Sequence, residues 1–203
     1  MAKTMTPSAE MTDGQINKAV ELYRAMLEKH RKEFGSEAVQ QVLGQPDFVG
    51  EMVGVLRKRV EAVSDMIVRH VKVNRAHSPR QCLEATGRRL YADDSVVETM
   101  PCGDGEDVEV VFFRVGRFIS DADLDKEYGL RGLKPADPYS LAQANIDDPA
   151  LADDRPNGTH WKDTQGKWCY AAFCHWHGER YVNVNRDDVV AWSGHWWFAG
   201  LRK

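Results

Sequence analysis

The chain has 203 residues, of which 42% are hydrophobic and 29% charged, a composition that excludes an intrinsically disordered or collagen-like protein. No stretch reaches the roughly 18 consecutive apolar residues of a membrane helix, and the N-terminus has no apolar signal core, so we expect a cytoplasmic protein without membrane contact. The net charge of −4 is unevenly distributed along the chain. Residues 1–90 contain 15 Lys and Arg and 11 Asp and Glu, whereas residues 91–155 contain 6 basic and 16 acidic residues. Residues 156–203 contain 6 basic and 4 acidic residues. The acidic middle segment can fold back on a basic face, repel nucleic acid or dock a basic partner.

Cysteine usage and motif content argue against the commonest enzyme classes. The four cysteines include no C-x-x-C pair, which excludes a ribbon-type zinc site and predicts reduced thiols. The sequence also lacks the P-loop, dinucleotide-binding, zinc-protease and serine-hydrolase motifs. It therefore favours a binding protein over an enzyme.

Residues 1–75 are predicted to form a helical hairpin or small bundle. Residues of one helix face recur at alternating steps of four and three, and they are Ile16, Val20, Tyr23, Leu27, His30 and Phe34. This pattern predicts a helix over 13–34, followed by a short helix over 36–43 and a longer helix whose stripe runs over 48–67. We expect the two long stripes to bury each other, and the hairpin to serve as a homo-oligomer contact.

Residues 76–128 are predicted to mix helix and strand. Ser78, the proline after it and Gln81 form the pattern of a capping box, which predicts a short helix. The run 108–115 is rich in β-branched and aromatic residues and predicts a strand. Ser120 is placed to cap a further helix.

Residues 129–158 are predicted to be an acidic connector rich in proline, alanine and aspartate. Four prolines among many short side chains suit helical turns that wrap over a surface, and a helix is predicted to begin at Asp137. The predicted anchors of this connector are Leu130, Leu133, Tyr139, Leu141, Ile146 and Leu151. We therefore expect an ordered segment and not a free linker.

The stretch 57–89 is strongly basic, with nine Lys+Arg against three Asp+Glu. Such a stretch attracts phosphate groups, so it is the candidate for nucleic-acid contact. The acidic segment after it predicts that binding of this kind is weak.

Residues 159–203 contain all six tryptophans of the chain, which are Trp161, Trp168, Trp176, Trp192, Trp196 and Trp197. A turn at 163–166 joins two predicted strands, and 181–184 and 196–201 predict two more, so a small antiparallel sheet is expected. Alternation along the strand that follows the turn makes both of its faces partly apolar. The whole chain is predicted to be an α+β protein, with a helical hairpin before a Trp-rich sheet.

The aromatic sheet has two interpretations, core packing and a binding platform. Large aromatic side chains bury much area with few residues, but an exposed aromatic face can also stack on a ligand. The predicted binding site comprises Trp161, His160, Lys162 and Arg180. Trp161, beside a turn, is predicted to be open to solvent, whereas Trp168 and Trp197 are predicted to be buried.

Two catalytic alternatives use histidine. The first is a metal site, with zinc as the candidate ion, whose ligands would be His160, His175, His177 and Cys169. Its basis is that residues two apart on a strand share a face. The second alternative is a cysteine nucleophile, Cys169 or Cys174, activated by His160 or His195.

The leading hypothesis is a non-catalytic interaction or regulatory protein. It binds another macromolecule, expected to be a protein, through the aromatic sheet and the acidic surface. One alternative is a metal-assisted hydrolase that uses His160, His175 and His177. The other is a single-stranded nucleic-acid binder that uses 57–89.

Overall fold

The computed structural model describes residues 11–63, 66–186 and 191–203, and the chain divides into two compact units, Met1–Val63 and Ser64–Lys203. The first unit is helical and the second combines helices with a β-sheet, so the predicted α+β class is confirmed. The four-part division stays a prediction. No helix in the described ranges is long and apolar enough to cross a membrane.

The described part of the first unit contains three α-helices. They are α1 Asp13–His30, which continues into the 3₁₀ turn Arg31–Glu33, α2 Ser36–Leu43 and α3 Phe48–Val63. The start of α1 is a capping box. The Thr12 hydroxyl accepts a hydrogen bond from the backbone N–H of Gln15, and the side-chain carbonyl of Gln15 accepts one from the backbone N–H of Thr12. Local sequence signals therefore account for where α1 begins.

The apolar stripe of α1 is not buried as predicted. Ile16, Val20 and Leu27 expose 45%, 58% and 42% of their surface, and Tyr23 Oη contacts Met52 Sδ of α3 at 3.5 Å. The prediction of mutual burial is wrong, because the described residues of this unit provide no apolar layer that covers the stripe. The antiparallel hairpin itself stays a prediction.

The described part of the second unit contains eight strands. They are β1 Met66–Lys72, β2 Arg89–Ala92, β3 Asp107–Arg114, β4 Leu133–Pro135, β5 Asn157–Lys162, β6 Trp168–Trp176, β7 Glu179–Arg186 and β8 Trp197–Arg202. Their order is β1-β3-β8-β5-β6-β7-β2, with β4 also paired to β8. Two pairs, β2 with β7 and β5 with β8, are parallel.

The tryptophan-rich strands are therefore the centre of a mixed sheet and not a small antiparallel sheet of their own. β3 has four consecutive buried residues, from Val110 to Phe113, so it needs a neighbour on each edge and a layer on each face. β1 and β8 supply those edges. Ile67, expected at the end of a helical stripe, is a buried residue of β1.

Among the described residues of the second unit, five helices pack against this sheet. They are α4 Pro79–Glu84, α5 Asp94–Val97, α6 Asp121–Leu130, α7 Pro138–Asp147 and α8 Leu151–Asp154. The first two and the last two cover one face, called here the helical face, and α6 packs against the other face. The capping box of Ser78 with Gln81 is confirmed, and Ser120 and Asp137 cap α6 and α7 as predicted.

The predicted connector over 129–158 is part of the core. Leu133 in β4 packs with α6, and Tyr139 and Leu141 in α7 are buried on the helical face. Leu130 is 76% exposed, so its prediction as an anchor is wrong. The segment is ordered because β4 pairs with β8, which no local pattern indicates.

The acidic segment folds back on the basic parts of the chain. Ion pairs join Arg69 to Asp148, Arg75 to Asp137, Arg80 to Asp94, Arg180 to Asp153, Arg186 to Asp93 and Arg202 to Glu109. Three of these arginines belong to the basic stretch 57–89, which leaves less positive charge there for phosphate. The side chains of Arg57 and Lys58, counted in that stretch, lie outside the described residues.

Candidate functional site

An open groove of about 560 Å³ lies on the face of the sheet opposite the helical face. Its floor consists of side chains from β6 and β7, namely Tyr170, Ala172, Cys174, Asn183 and Asn185. Segment 191–196, called here the wall segment, borders it with Trp192, Ser193 and Trp196. A groove of this volume is within the range of small-molecule sites.

Strand alternation places the floor side chains together. In the register of β6 with β7, Tyr170 lies opposite Asn185 and Ala172 lies opposite Asn183. Residues that are paired in a ladder point to the same face, so one amide accompanies each of these β6 residues. Ala172 is short and buried, which gives the floor its depth.

The two asparagines of the floor are half-buried, and neither carboxamide has a hydrogen-bond partner in the part of the chain that the structure describes. Each carboxamide offers one carbonyl acceptor and two N–H donors. A ligand that supplies partners for these groups would replace their contacts with water, so Asn183 and Asn185 are available to a ligand.

Backbone contacts hold the wall segment in place. Ile119 and Trp192 exchange two backbone hydrogen bonds, of 2.9 and 2.8 Å. A Cβ atom at Gly158 would come within 2.9 Å of Trp192 Cη2, so only glycine lets the indole lie this close to β5. A Cβ atom at Gly194 would likewise come within 2.8 Å of the backbone nitrogen of Arg117. The wall is therefore positioned before a ligand arrives.

His160 is buried beside the groove and helps to hold its wall. Its Nδ1 lies 2.5 Å from Asp121 Oδ1, and its Nε2 lies 3.1 Å from Asp125 Oδ1. Trp192 Nε1 donates to the same Asp121 oxygen at 3.0 Å, and the His160 ring stacks on Trp168 with centroids 4.7 Å apart. Each ring nitrogen of His160 therefore faces a carboxylate oxygen of α6, and the histidine links β5 to that helix.

The predicted binding residues do not converge. Trp161 is 8% exposed, lies on the helical face and donates from Nε1 to Thr99 Oγ1 at 3.1 Å, so the prediction of an open indole is wrong. Its strand, β5, has neighbours on both edges and offers no open side. Lys162 is on the opposite face, with its ammonium 4.5 Å from the Trp168 ring centroid, and Arg180 is held by Asp153.

The predicted zinc ligands are also apart. His160 and Cys169 point to opposite faces of the sheet, since each is paired in register with a neighbour of the other. His175 is six residues from Cys169, about 20 Å along β6. His177 is in a turn with φ 49°. The described ranges hold no group of three or more His, Cys, Asp or Glu residues placed to bind one ion, so the structure does not bring these four predicted ligands together.

The cysteines are unsuited to nucleophilic attack at neutral pH. Burial raises the pKa of the Cys169 thiol. Burial also raises the pKa of the Cys174 thiol, and this effect is larger than the lowering by the positive charge of Arg88. His195, proposed as a base, has its Nδ1 2.8 Å from Ser193 Oγ. The geometry therefore does not assemble the predicted nucleophile and base.

The sequence reasoning missed the polar half of the groove. The run Tyr181-Val182-Asn183-Val184-Asn185 alternates polar and β-branched residues, and this was a signal that two amides share one strand face. It did not indicate that this face borders a groove. Comparison with family models, curated proteins and solved structures gave no match, so the function is argued from the chemistry of the groove.

Proposed function

We propose that this chain is a binding protein whose ligand occupies the groove between the sheet and the wall segment. The observation that carries the proposal is the pair of half-buried carboxamides, Asn183 and Asn185, which lack protein partners in the described residues and lie beside aromatic side chains. Sites with this composition, apolar walls and a few placed polar groups, are typical of ligand recognition.

The lining groups favour binding over proton transfer. Amides, a hydroxyl and aromatic rings face the groove, and the Cys174 thiol stays protonated at neutral pH because burial raises its pKa. Arg186 also borders the groove, but its Nε donates to Asp163 Oδ2 at 3.1 Å. General acid–base chemistry needs a group that titrates near the working pH. The groove instead offers shape, stacking and neutral hydrogen bonds.

The groove replaces the acidic surface as the basis for partner recognition. Many carboxylates of 91–155 are paired with arginines within the fold, so they contribute less to the attraction of a basic partner. A macromolecular partner would place a single group in the groove: a side chain of a protein, a base of a nucleic acid or a sugar of a glycan. A free small molecule would fill it in the same way.

The test is saturation-transfer NMR with four uncharged probes: adenosine, cytidine, cellobiose and N-acetylphenylalaninamide. Each is measured against the wild-type chain, Trp196→Ala and Trp176→Ala. Trp196 borders the groove, whereas Trp176 is 65% exposed on β6 and does not line it. We expect transfer to at least one probe, lost in Trp196→Ala and retained in Trp176→Ala.

Two results would overturn the proposal. One is the absence of transfer to all four probes with folded wild-type protein. The other is transfer that Trp196→Ala leaves unchanged, because the probe then binds elsewhere. Circular dichroism of both variants separates a loss of binding from a loss of folding.

A further inference from the structure

We infer that the ligand of the groove is an uncharged nucleobase or nucleoside, whose edge meets the carboxamides and whose ring meets the aromatic side chains. The inference rests on the proposed function, since it names the class of ligand for the same groove. Three features of the groove support it: the hydrogen-bonding pattern of its floor, the aromatic rings at its wall and the ion pairs that the neighbouring arginines make within the protein.

The floor matches the hydrogen-bonding edge of a base. A carboxamide presents a donor and an acceptor side by side, and adenine, cytosine and uracil each carry a donor next to an acceptor on one edge. Asn183 and Asn185 are two residues apart on β7, about 7 Å along the strand. One amide can therefore pair with the base while the other meets a ribose hydroxyl.

The rings of the groove suit a flat ligand. Trp192 meets Tyr170 edge-on, with centroids 5.5 Å apart, and meets Trp196 edge-on, with centroids 5.4 Å apart. Trp192 is buried by these contacts, whereas Trp196 is half-buried and keeps part of its indole open to the groove. Stacking on an open aromatic ring is how proteins hold a base irrespective of its sequence context.

The charges around the groove favour a neutral ligand. Arg186 bonds to Asp163 and to Ser95 Oγ, the latter at 3.1 Å. On the neighbouring strand, Arg89 pairs with Glu179 at 3.0 Å and lies over the Tyr91 ring. Phosphate contacts draw their affinity from cations that are free to neutralise them. Both arginines already have a carboxylate partner, which favours a nucleoside over a nucleotide or a single strand.

The experiment is isothermal titration calorimetry of the full chain with defined probes. These are adenosine, guanosine, cytidine, uridine, AMP, the oligonucleotide (dA)8 and cellobiose, each at two salt concentrations. We expect at least one nucleoside to bind with one-to-one stoichiometry, and AMP and (dA)8 to bind no more tightly than that nucleoside.

Variants of the floor tie the binding to the carboxamides. Asn183→Leu and Asn185→Leu each remove a donor and an acceptor and are expected to weaken nucleoside binding about tenfold. Asn183→Ser and Asn185→Ser are smaller and polar, so they serve if a leucine variant fails to fold. Trp176→Ala is the matched control and is expected to bind like the wild type.

Four outcomes overturn the inference. If cellobiose binds and no nucleoside does, the ligand is a sugar and the proposed function stands. If (dA)8 binds more than tenfold tighter and its affinity falls steeply with salt, the ligand is a single strand with its phosphates. If the nucleoside affinity survives the asparagine substitutions, the site lies elsewhere. If no probe binds, the inference fails, and saturation transfer to N-acetylphenylalaninamide then decides whether the proposed function fails with it.

Discussion

His160 organises a site that it does not line. Its ring joins β5 to Asp121 and Asp125 of α6, and Asp121 also accepts the indole N–H of Trp192 in the wall segment. A buried carboxylate is costly unless it is paired, so the histidine and the indole together make its burial tolerable. The position of the wall therefore depends on a side chain in the middle of the sheet.

Replacement of His160 tests this dependence. His160→Ala leaves the Asp121 carboxylate with fewer donors, and we expect the free energy of unfolding in urea to fall by about 3 kcal/mol. His175→Ala, at an exposed position of β6, is the control and is expected to change stability by less than about 0.5 kcal/mol. Equal stability of the two variants would show that the buried network contributes nothing.

Trp161 carries the second prediction at the scale of the residue. Its side chain is 8% exposed and packs in the core of the helical face, so Trp161→Ala is expected to cost about 3–5 kcal/mol in urea unfolding. Trp176→Ala, at a 65% exposed position, is expected to cost little. A loss below about 1 kcal/mol for Trp161→Ala would contradict the core position of this indole.

At the scale of the element, the apolar face of a helix stabilises the fold only where another layer of the protein covers it. The α6 residues Leu124 and Tyr128 are 0% and 1% exposed, because β3, β4 and β8 lie against them. The α1 residues Ile16, Val20 and Leu27 have a more regular repeat but remain about half exposed. Periodicity alone therefore does not measure burial.

This difference predicts unequal costs for the same substitution in two helices. Leu124→Ala removes a fully buried side chain and is expected to cost about 2–5 kcal/mol. Leu27→Ala removes a side chain that is 42% exposed and is expected to cost less than about 1 kcal/mol. Urea unfolding followed by circular dichroism measures both. A large loss for Leu27→Ala would mean that a partner covers the α1 stripe in solution.

At the scale of the whole molecule, the uneven charge of the sequence is largely compensated by tertiary ion pairs. A hydrogen bond from Arg180 lowers the pKa of Asp153, and hydrogen bonds from Tyr181 and Arg89 lower the pKa of Glu179. The folded pKa of each carboxyl is thus below its unfolded value. Such carboxylates stabilise the fold above the unfolded pKa of about 4, and this contribution is lost as the pH falls through the folded pKa.

Acid titration of stability tests this compensation. We expect the urea midpoint of the wild type to fall as the pH is lowered from about 5 to about 2. Arg180→Gln removes the partner of Asp153, so its midpoint should depend less on pH over the same window. If the wild type and Arg180→Gln have the same pH dependence, the Arg180–Asp153 pair does not stabilise the fold.

Features that depend on residues close together in the chain were predictable from the sequence. The capping boxes at Thr12 and Ser78, the hairpin turn at 163–166 and the alternation along β6 each involve groups within a few residues of one another. Local propensity and local hydrogen bonds decide such features. In this way the sequence determined most of the helices, most strands and the aromatic character of the central sheet.

Tertiary structure alone decided which of these side chains are open to a ligand. The pairing of Gly158 with Phe198 makes β5 an inner strand, and the packing of helices on the helical face buries Trp161. The bridge from Ile119 to Trp192 builds the wall of the groove. Both contacts join residues far apart in the chain, so no local pattern encodes them. The sequence determined that an aromatic sheet would form, and long-range pairing determined that Asn183 and Asn185 lie in the floor of a groove, because burial depends on which element packs above a residue.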